Sequence, residues 1–410
     1  MKEVINFSIG FVTGRSNVCN IINYGYNNLL KQFEKLDKNV KLTIFILYDL
    51  EYQKAQRDDF YNIEPEAYKN ITIKYITPED IEEEKKKLMS RKLLTKENLE
   101  LFFGHGHARG RNTVMYFAKK RKMDYLLFWD DDEYPVACVK NENKQIEWIE
   151  QANIAEHLKY IDNVDITIGH HCGYISPIPY VEIGEEIDEI KFSQYIKAIS
   201  NDIISWESIK QKFKENNGVT YANKEIIENK IVKEIELDGI GKWVAGSTIC
   251  LNLKNIENIP AYYNPPNARG EDTFFSVKLK DCKVLRIPIY HFHDGFLKYR
   301  NIMKGMYPKT LRKIKVDEEL ISQRFISASR GWIKYKPLLL FISNKNTYKE
   351  KIKEMQEQLN EGLPEVSKLF KDYDIEILKQ DLKEYSTSVE KHYQEYLKTN
   401  EIWEVLRKID

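Results

Sequence analysis

Hydrophobic positions in the first third of the chain switch repeatedly between the spacing of a strand and that of a helix. Apolar residues dominate 4–12, helical spacing follows at 20–36, and two further β-rich runs lie at 41–50 and 71–77. Strands that alternate with helices are typical of βαβ units, in which consecutive strands are parallel. The pattern therefore predicts an α/β fold with a mainly parallel central sheet.

The middle of the chain continues this alternation and then loosens. Residues 104–112 predict a loop, 113–122 predict a helix, and 123–129 predict a buried strand that ends in three aspartates. Farther on, 164–176 predicts a pair of strands and 242–253 one more strand. Residues 184–235 between these strands are polar and predict mainly helix, and the looser rhythm after residue 135 favours antiparallel pairing in the second half of the chain.

The last predicted strand closes the sheet before residue 297. A loop at 264–272 leads into a short helix at 273–281, and 283–295 follows as the final strand. From residue 297 to the end the chain is strongly charged and has helical spacing. We therefore expect a C-terminal α-helical appendage.

Composition narrows the class of protein. Of the 410 residues, 42% are hydrophobic and 31% are charged, which is too apolar for a disordered chain and too polar for a membrane bundle. Basic and acidic residues both number 63, so we expect no nucleic-acid partner. The five cysteines form no C-x-x-C pair, which favours a reducing compartment. No stretch approaches the ~20 apolar residues of a membrane span, so we expect a cytoplasmic protein without a transmembrane segment.

Three aspartates follow the apolar strand at 123–129. Carboxylates at the exit of a buried strand lie where open α/β sheets bind ligands, and their mutual repulsion favours a bound cation. On an extended backbone Asp130 and Asp132 point to one face and Asp131 to the other, which predicts a D-x-D pair. Carboxylate oxygens suit Mg²⁺ or Mn²⁺. The alternative interpretation is a solvated acidic turn.

Histidines recur on the final predicted strand. His291 and His293 share one face of that strand, and imidazole is a common ligand of the borderline metals. A histidine in the core or at a cap is the alternative. A second run, His-His-Cys at 170–172, lacks the spaced partner ligands of a zinc site.

An acidic pair opens the helix predicted at 273–281. Glu271 and Asp272 stand where an acidic residue commonly caps a helix or interacts with its dipole. Their place between the strand at 242–253 and the histidine strand makes a catalytic role the second interpretation.

The order of these motifs resembles that of GT-A-fold glycosyltransferases, nearest to the family 2 pattern. After the first strand come G-x-x-x-A-R-G-R-N, FWDDDEYP, WVAGST, R-G-E-D-T and HFH, in that order, between residues 4 and 296. The loop FVTGRSN stands where the family usually has a proline-containing nucleotide loop. The resemblance implies a GT-A-type, Rossmann-like mixed sheet. It divides the chain into a nucleotide-sugar-binding half at 1–136, an acceptor-binding half at 137–296 and a helical C-terminal region at 297–410.

Site residues are implied by the same resemblance, position by position. Asp130 is expected beside the ribose and the metal ion, and Asp132 is expected to ligate the ion. Asp272, with Glu271 next to it, is the expected general base. His293, or else His291, matches a histidine that ligates the metal in some GT-A enzymes. The residues expected at the nucleotide are Thr13, Arg15, Asp49, Arg109, Arg111, Asp130 and Asp131.

The activity implied is transfer of a sugar from a nucleoside-diphosphate sugar, with UDP the expected nucleotide, to a hydroxyl of a glycan, lipid-linked or protein acceptor. Mn²⁺ or Mg²⁺ and basic side chains neutralise the leaving diphosphate while a carboxylate takes the acceptor proton. A base opposite the leaving group predicts inversion, although retention stays open.

Two other functions remain as alternatives. A sugar nucleotidyltransferase has a related sheet, but its glycine-rich N-terminal phosphate loop with Arg and Lys is absent from this sequence. A noncatalytic carbohydrate-binding or scaffold protein could keep the same fold. The C-terminal helices leave homo-oligomerisation open.

Overall fold

A computed structural model of the chain describes residues 4–34, 36, 39–52, 54–174, 176–184, 187–200, 205–316, 319–370 and 374–409. Parts of the segments predicted at 20–36 and 164–176 fall on residues 35 and 175, outside the described residues. Among the described helices, none combines the length and the apolar character needed to cross a membrane. All five cysteines are buried free thiols.

Strands and helices alternate in the first part of the described chain, and helices dominate its end. The strands are β1 (Val4–Thr13), β2 (Asn39–Tyr48), β3 (Thr72–Ile76), β4 (Tyr125–Phe128), β5 (Glu133–Tyr134), β6 (Val136–Lys140), β7 (Ile146–Glu150), β8 (Ile166–Tyr174), β9 (Lys233–Glu234), β10 (Ile249–Asn252) and β11 (Val284–Asp294). The α-helices are α1 (Asn17–Glu34), α2 (Pro65–Asn70), α3 (Pro78–Ser90), α4 (Lys96–Phe102), α5 (His107–Lys120), α6 (Asn153–Tyr160), α7 (Glu189–Ile199), α8 (Trp206–Asn216), α9 (Lys224–Glu228), α10 (Glu271–Val277), α11 (Glu319–Ser343), α12 (Tyr348–Leu369), α13 (Ile377–Thr387) and α14 (Val389–Leu406).

One mixed sheet organises the described strands, in the order β3-β2-β1-β4-β10-β8-β11-β5, with β9 also on β11. The neighbours from β3 to β4 are parallel, β10 is antiparallel to both of its neighbours, and β8 and β11 are parallel. Strands β6 and β7 form a separate hairpin. The predicted α/β class and mainly parallel sheet are therefore confirmed.

The pairing fixes which strand ends meet. Because β10 runs against both β4 and β8, the strands β1, β4, β8 and β11 all point the same way. Their carboxyl ends therefore share one edge, the edge where open α/β sheets bind ligands. The predicted motifs after β1 and β4 and at the end of β11 all lie along it.

Helix α5 packs unusually close to β1 because glycines stand at the contact. A Cβ on Gly10 would lie 2.7 Å from Cγ1 of Val114, and one on Gly110 would overlap Val12. Without these side chains, the first turns of α5 reach the carboxyl edge of the sheet. Arg111 is thereby carried to that edge on a helix.

The structure moves three predicted boundaries. Helix α5 begins at His107, inside the predicted loop. The side chain of Asn112 exchanges two hydrogen bonds, of 2.9 and 2.8 Å, with the backbone of Tyr262. A segment distant in sequence therefore satisfies the polar residues that predicted a loop. The predicted pair of strands at 164–176 is the single strand β8. Its Gly169 makes no turn, but leaves room for the side chain of Ile289. The strand predicted at 242–253 is shorter and spans only β10.

Candidate active site

A polar cavity of about 270 Å³, called here the reaction cavity, opens at the carboxyl edge of the sheet. Its walls come from the ends of β1, β4, β8 and β11, the first turns of α5 and α10, and one side of α11. Clefts at this position are the usual ligand sites of α/β proteins. The acidic, basic and histidine side chains that line it are Arg15, His107, Arg111, Asp130, Asp131, Glu133, His171, Arg269, Glu271, Asp272 and His293.

The three aspartates form a turn and not an extended strand end. A 3.3 Å backbone hydrogen bond to the carbonyl of Asp130 closes this turn, because the chain reverses to lay β5 against β11. The prediction that Asp130 and Asp132 share a face opposite Asp131 is therefore wrong. Arg15 pairs with both Asp131 and Asp132, whereas Asp130 faces Arg111.

Asp130 and Arg111 form an ion pair on the cavity wall. Nη2 of Arg111 lies 3.3 Å from Oδ1 of Asp130, and its guanidinium carbon lies 5.2 Å from the ring centroid of Phe128. Burial raises the pKa of Asp130 to about 6, although Arg111 opposes this shift. A guanidinium group is thus held next to a carboxyl group of nearly neutral pKa.

Asp132 lies behind the cavity wall among three cationic groups. Its Oδ2 lies 3.0 Å from Nη2 of Arg15 and 3.4 Å from Nη2 of Arg324, while its Oδ1 lies 3.5 Å from Nε2 of His293. Burial opposes ionisation, but Arg15 and His293 outweigh it and hold the pKa of Asp132 well below its usual range. Burial also disfavours a charged His293, but Asp132 raises the pKa of that imidazole to about 9.

His291 is fully buried and lies outside the reaction cavity. Its Nδ1 is 3.2 Å from Oε2 of Glu133 and 3.1 Å from Oγ1 of Thr248. The same glutamate holds His171, with Nε2 2.9 Å from Oε1. Of the two histidines predicted on the last strand, the structure brings only His293 to the cavity.

The His-His-Cys run on β8 does not converge on one point. His170 stacks on Tyr290 with ring centroids 4.8 Å apart, and Sγ of Cys172 accepts a 3.4 Å hydrogen bond from the backbone of Cys138. In the part of the chain that the structure describes, no group of three or more His, Cys, Asp or Glu side chains is arranged to hold a metal ion.

The acidic pair opens α10, but neither residue is its N-cap, because Gly270 occupies that position with φ of 92°. Oε1 of Glu271 lies 3.7 Å from Nε of Arg111 and 3.9 Å from Nδ1 of His107. Burial opposes ionisation, yet these two neighbours hold the pKa of Glu271 below its usual value. Burial and the charge of Glu271 together raise the pKa of Asp272 to about 7. Asp272 can therefore exchange a proton near neutral pH, as a general base must.

Of the three residues predicted at the nucleobase, two lie at the aspartate turn and the third lies away from it. Thr13 donates a hydrogen bond to Asp131, and Arg15 pairs with the same aspartate, so both stand at the aspartate turn. Asp49 follows β2, donates its backbone N–H to the carbonyl of Thr13 at 2.8 Å, and accepts from the backbone of Glu51 at 3.0 Å. It lies outside the reaction cavity.

A second cavity of about 480 Å³ adjoins the first. It is lined by residues around the start of α5, by the loop at 262–269, and by residues of α11 and α14. Arg109 lines this cavity, and its Nη1 lies 3.5 Å from the carbonyl of Glu100. The exposed ring of Tyr52 contributes another wall.

Several wall residues were not predicted from the sequence. Arg269 is the first residue of the R-G-E-D-T motif, and this position at the start of α10 was the one available signal for it. Trp332 and Tyr335 come from α11, which the sequence indicated only as part of an appendage. Three-residue spacing places them on one helix face, but nothing in the sequence places that face at the cavity.

Comparison with known proteins gives little further information. No family model matches the chain, and no curated protein is a significant match. Among solved structures, the mannosyltransferase Ktr4p from S. cerevisiae in complex with GDP is similar at 11% identity with a TM-score of 0.22, over 68% of this chain and 62% of that one. The aligned part is thus less than two thirds of the yeast enzyme, and a likeness this weak carries no argument about function.

Proposed function

We propose that this chain is a glycosyltransferase that moves a sugar from a nucleoside-diphosphate sugar to a hydroxyl group. The observation that carries the proposal is the position of Asp272, with its pKa of about 7, in the cavity that also holds the Arg111–Asp130 pair. Such a transfer needs a base for the acceptor and cations for the departing diphosphate. The reaction cavity offers both at the carboxyl edge of the sheet.

The proposed reaction is a single displacement. Asp272 takes the proton of the acceptor hydroxyl, the acceptor oxygen forms a bond to the anomeric carbon, and the bond from that carbon to the diphosphate oxygen breaks. The nucleoside diphosphate leaves with the electron pair, and Arg15 and Arg111 on the cavity wall neutralise its charge. Attack from the side opposite the leaving group inverts the anomeric configuration. Glu271 keeps the neighbouring charge that raises the pKa of the base.

The sheet is proposed to be of the GT-A type. In this arrangement residues 1–136 bind the nucleotide sugar and carry Arg15 and the aspartate turn. Residues 137–296 bind the acceptor and carry Asp272. The helical region at 297–410 contributes one wall of the cavity through α11.

A divalent cation, Mn²⁺ or Mg²⁺, is also part of the proposal, and the residues present fit it. Oδ1 of Asp132 and Nε2 of His293 face each other at 3.5 Å, while the arginines occupy the other carboxylate oxygen. These ions commonly take one or two protein ligands and complete their shell with water and substrate phosphates. Asp132 and His293 would hold the cation, which would neutralise charge on the diphosphate. His291 does not fit, since Glu133 occupies its Nδ1.

Calorimetric titration with nucleoside diphosphates tests the proposal. We expect at least one of UDP, GDP, ADP, CDP and TDP to bind in the presence of Mn²⁺, and to bind less tightly in EDTA. Asp130→Asn should weaken that binding, whereas Asp281→Asn should not, because Asp281 is exposed and lies outside both cavities. If none of the five binds the wild-type protein at millimolar concentration, the proposal fails.

A further inference from the structure

Two residues belong to the walls of both cavities. Among the described residues that line them, the reaction cavity and the second cavity share His107 and Arg269. A ligand that extends from one cavity into the other must therefore pass these two side chains. We call this place the junction.

Arg269 differs from the other arginines around the reaction cavity. Arg15 pairs with Asp131, and Arg111 pairs with Asp130. In the described part of the chain, the guanidinium of Arg269 has neither a hydrogen-bonded nor an ion-paired partner. Its charge helps to lower the pKa of Glu271, but no carboxylate is hydrogen-bonded to it. This half-buried guanidinium therefore retains five N–H donors in a planar fork, the geometry that matches phosphate oxygens.

The side chain of Arg269 is nevertheless held in place. Its backbone N–H donates to the carbonyl of Gly331 at 3.2 Å. A Cβ on Gly331 would lie 2.6 Å from Cγ of Arg269, so the arginine stem occupies the space that this glycine leaves on α11. The guanidinium carbon lies 5.9 Å from the ring centroid of Trp332. The guanidinium group of Arg269 is therefore held in position before any ligand binds, which lowers the entropic cost of binding.

The start of α5 adds a second feature that favours an anion at the junction. His107 is the first residue of this 14-residue helix, and the first turn contains no acidic side chain. The N-cap, Gly106, has no side chain, and one first-turn N–H, that of Ala108, donates to Oδ1 of Asn264 at 3.0 Å. Backbone N–H groups and the helix dipole favour negative charge at such an end.

We propose that the nucleotide sugar spans both cavities, with its diphosphate between Arg111 on the reaction-cavity side and Arg269 and the start of α5 at the junction. The proposal rests on the proposed function and adds to it where the donor lies. In this arrangement the sugar occupies the reaction cavity beside Asp272, and the nucleoside occupies the second cavity. The rings of Tyr52 and Tyr263 line that cavity, and bases stack on aromatic side chains of this kind. The diphosphate links the two parts of the donor, so it crosses the junction.

The test compares a nucleoside diphosphate with the nucleoside that lacks its phosphates. Arg269→Gln should weaken UDP or GDP binding by about 10- to 100-fold, since a hydrogen bond to a charged group is lost. It should leave the affinity for uridine or guanosine unchanged. Arg269→Lys should recover part of the loss, because it restores the charge without the fork.

Arg330→Gln is the matched control. Arg330 lies on the same helix as Gly331 but pairs with Asp381, with Nε 2.7 Å from Oδ2, and lines neither cavity. Its replacement should leave both affinities unchanged. An equal loss of diphosphate and nucleoside affinity in Arg269→Gln would show a structural role and overturn the inference, as would unchanged diphosphate affinity. Failure of every diphosphate to bind the wild type would overturn the proposed function as well.

Discussion

Replacement of Asp272 by asparagine separates a catalytic role from a structural one. Gly270 is the N-cap of α10, so Asp272 is not needed to cap it, and Oδ1 of Asp272 accepts a 2.8 Å hydrogen bond from the backbone of Thr273. The amide oxygen of asparagine can accept the same bond but cannot take a proton from the acceptor. We therefore expect the transfer rate to fall by about 10² to 10⁴. Donor affinity should stay nearly unchanged.

The same substitution should stabilise the protein at alkaline pH. Folding raises the pKa of Asp272 from 3.8 to about 7, so the ionised carboxylate destabilises the folded state. This cost is absent below pH 4, grows between pH 4 and 7, and is complete above pH 7. At about 1.4 kcal/mol for each tenfold change, its upper bound is on the order of 4 kcal/mol. Asparagine carries no charge, so the gain in the free energy of unfolding of Asp272→Asn over wild type should follow the same pH profile.

Two measurements check these expectations. In wild type, kcat/KM should fall about tenfold per pH unit below pH 7, because only the ionised base is active. The free energy of unfolding, measured by urea titration, should be larger for Asp272→Asn than for wild type at pH 8 and equal for the two proteins at pH 4. Glu79→Gln is the matched control, since Glu79 occupies the same second position of α3 and lies outside the reaction cavity. Asp272→Asn with more than about a tenth of wild-type activity would refute the role as base.

Three further perturbations test other parts of the site. Mn²⁺ affinity, measured by calorimetry, should rise about tenfold per pH unit up to about pH 9 as His293 loses its proton. His293→Ala should abolish this rise, whereas His291→Asn should lower thermal stability and leave the affinity intact. Arg109→Gln should weaken nucleoside-diphosphate binding without changing the melting temperature, because Arg109 is exposed at the second cavity. Asp131→Ala should cost roughly 1–3 kcal/mol in urea unfolding, since the buried hydroxyl of Thr13 loses its acceptor while Arg15 keeps Asp132.

The first half of the fold was predictable because the spacing of apolar residues within short stretches of sequence determines its strands and helices. The apolar runs of β1, β2 and β4 are separated by helical spacing, and parallel strands connected by helices follow from that alternation. The same topology places the segments after β1 and β4 on one edge. Arg15 and the aspartate turn could therefore be expected at the same edge, although not which aspartate pairs with Arg15.

The arrangement inside the site was not predictable, because it depends on contacts distant in sequence. The aspartate turn forms because β5 must pair with β11, more than 150 residues later in the chain. Asp132 pairs with Arg324 of α11, and no spacing rule connects the two. Likewise, His291 pairs with Glu133 in the core whereas His293 lines the cavity, although strand alternation predicts both side chains on the same face of β11.

The measurement that most directly tests the central claim is the fate of the donor phosphates. The protein is incubated with Mn²⁺ and a panel of nucleoside-diphosphate sugars, with and without sugar and peptide hydroxyl acceptors, and the products are separated by anion-exchange chromatography. The account predicts release of a nucleoside diphosphate from at least one donor, faster with an acceptor and nearly abolished in Asp272→Asn. Formation of pyrophosphate, or no consumption of any donor, would contradict it.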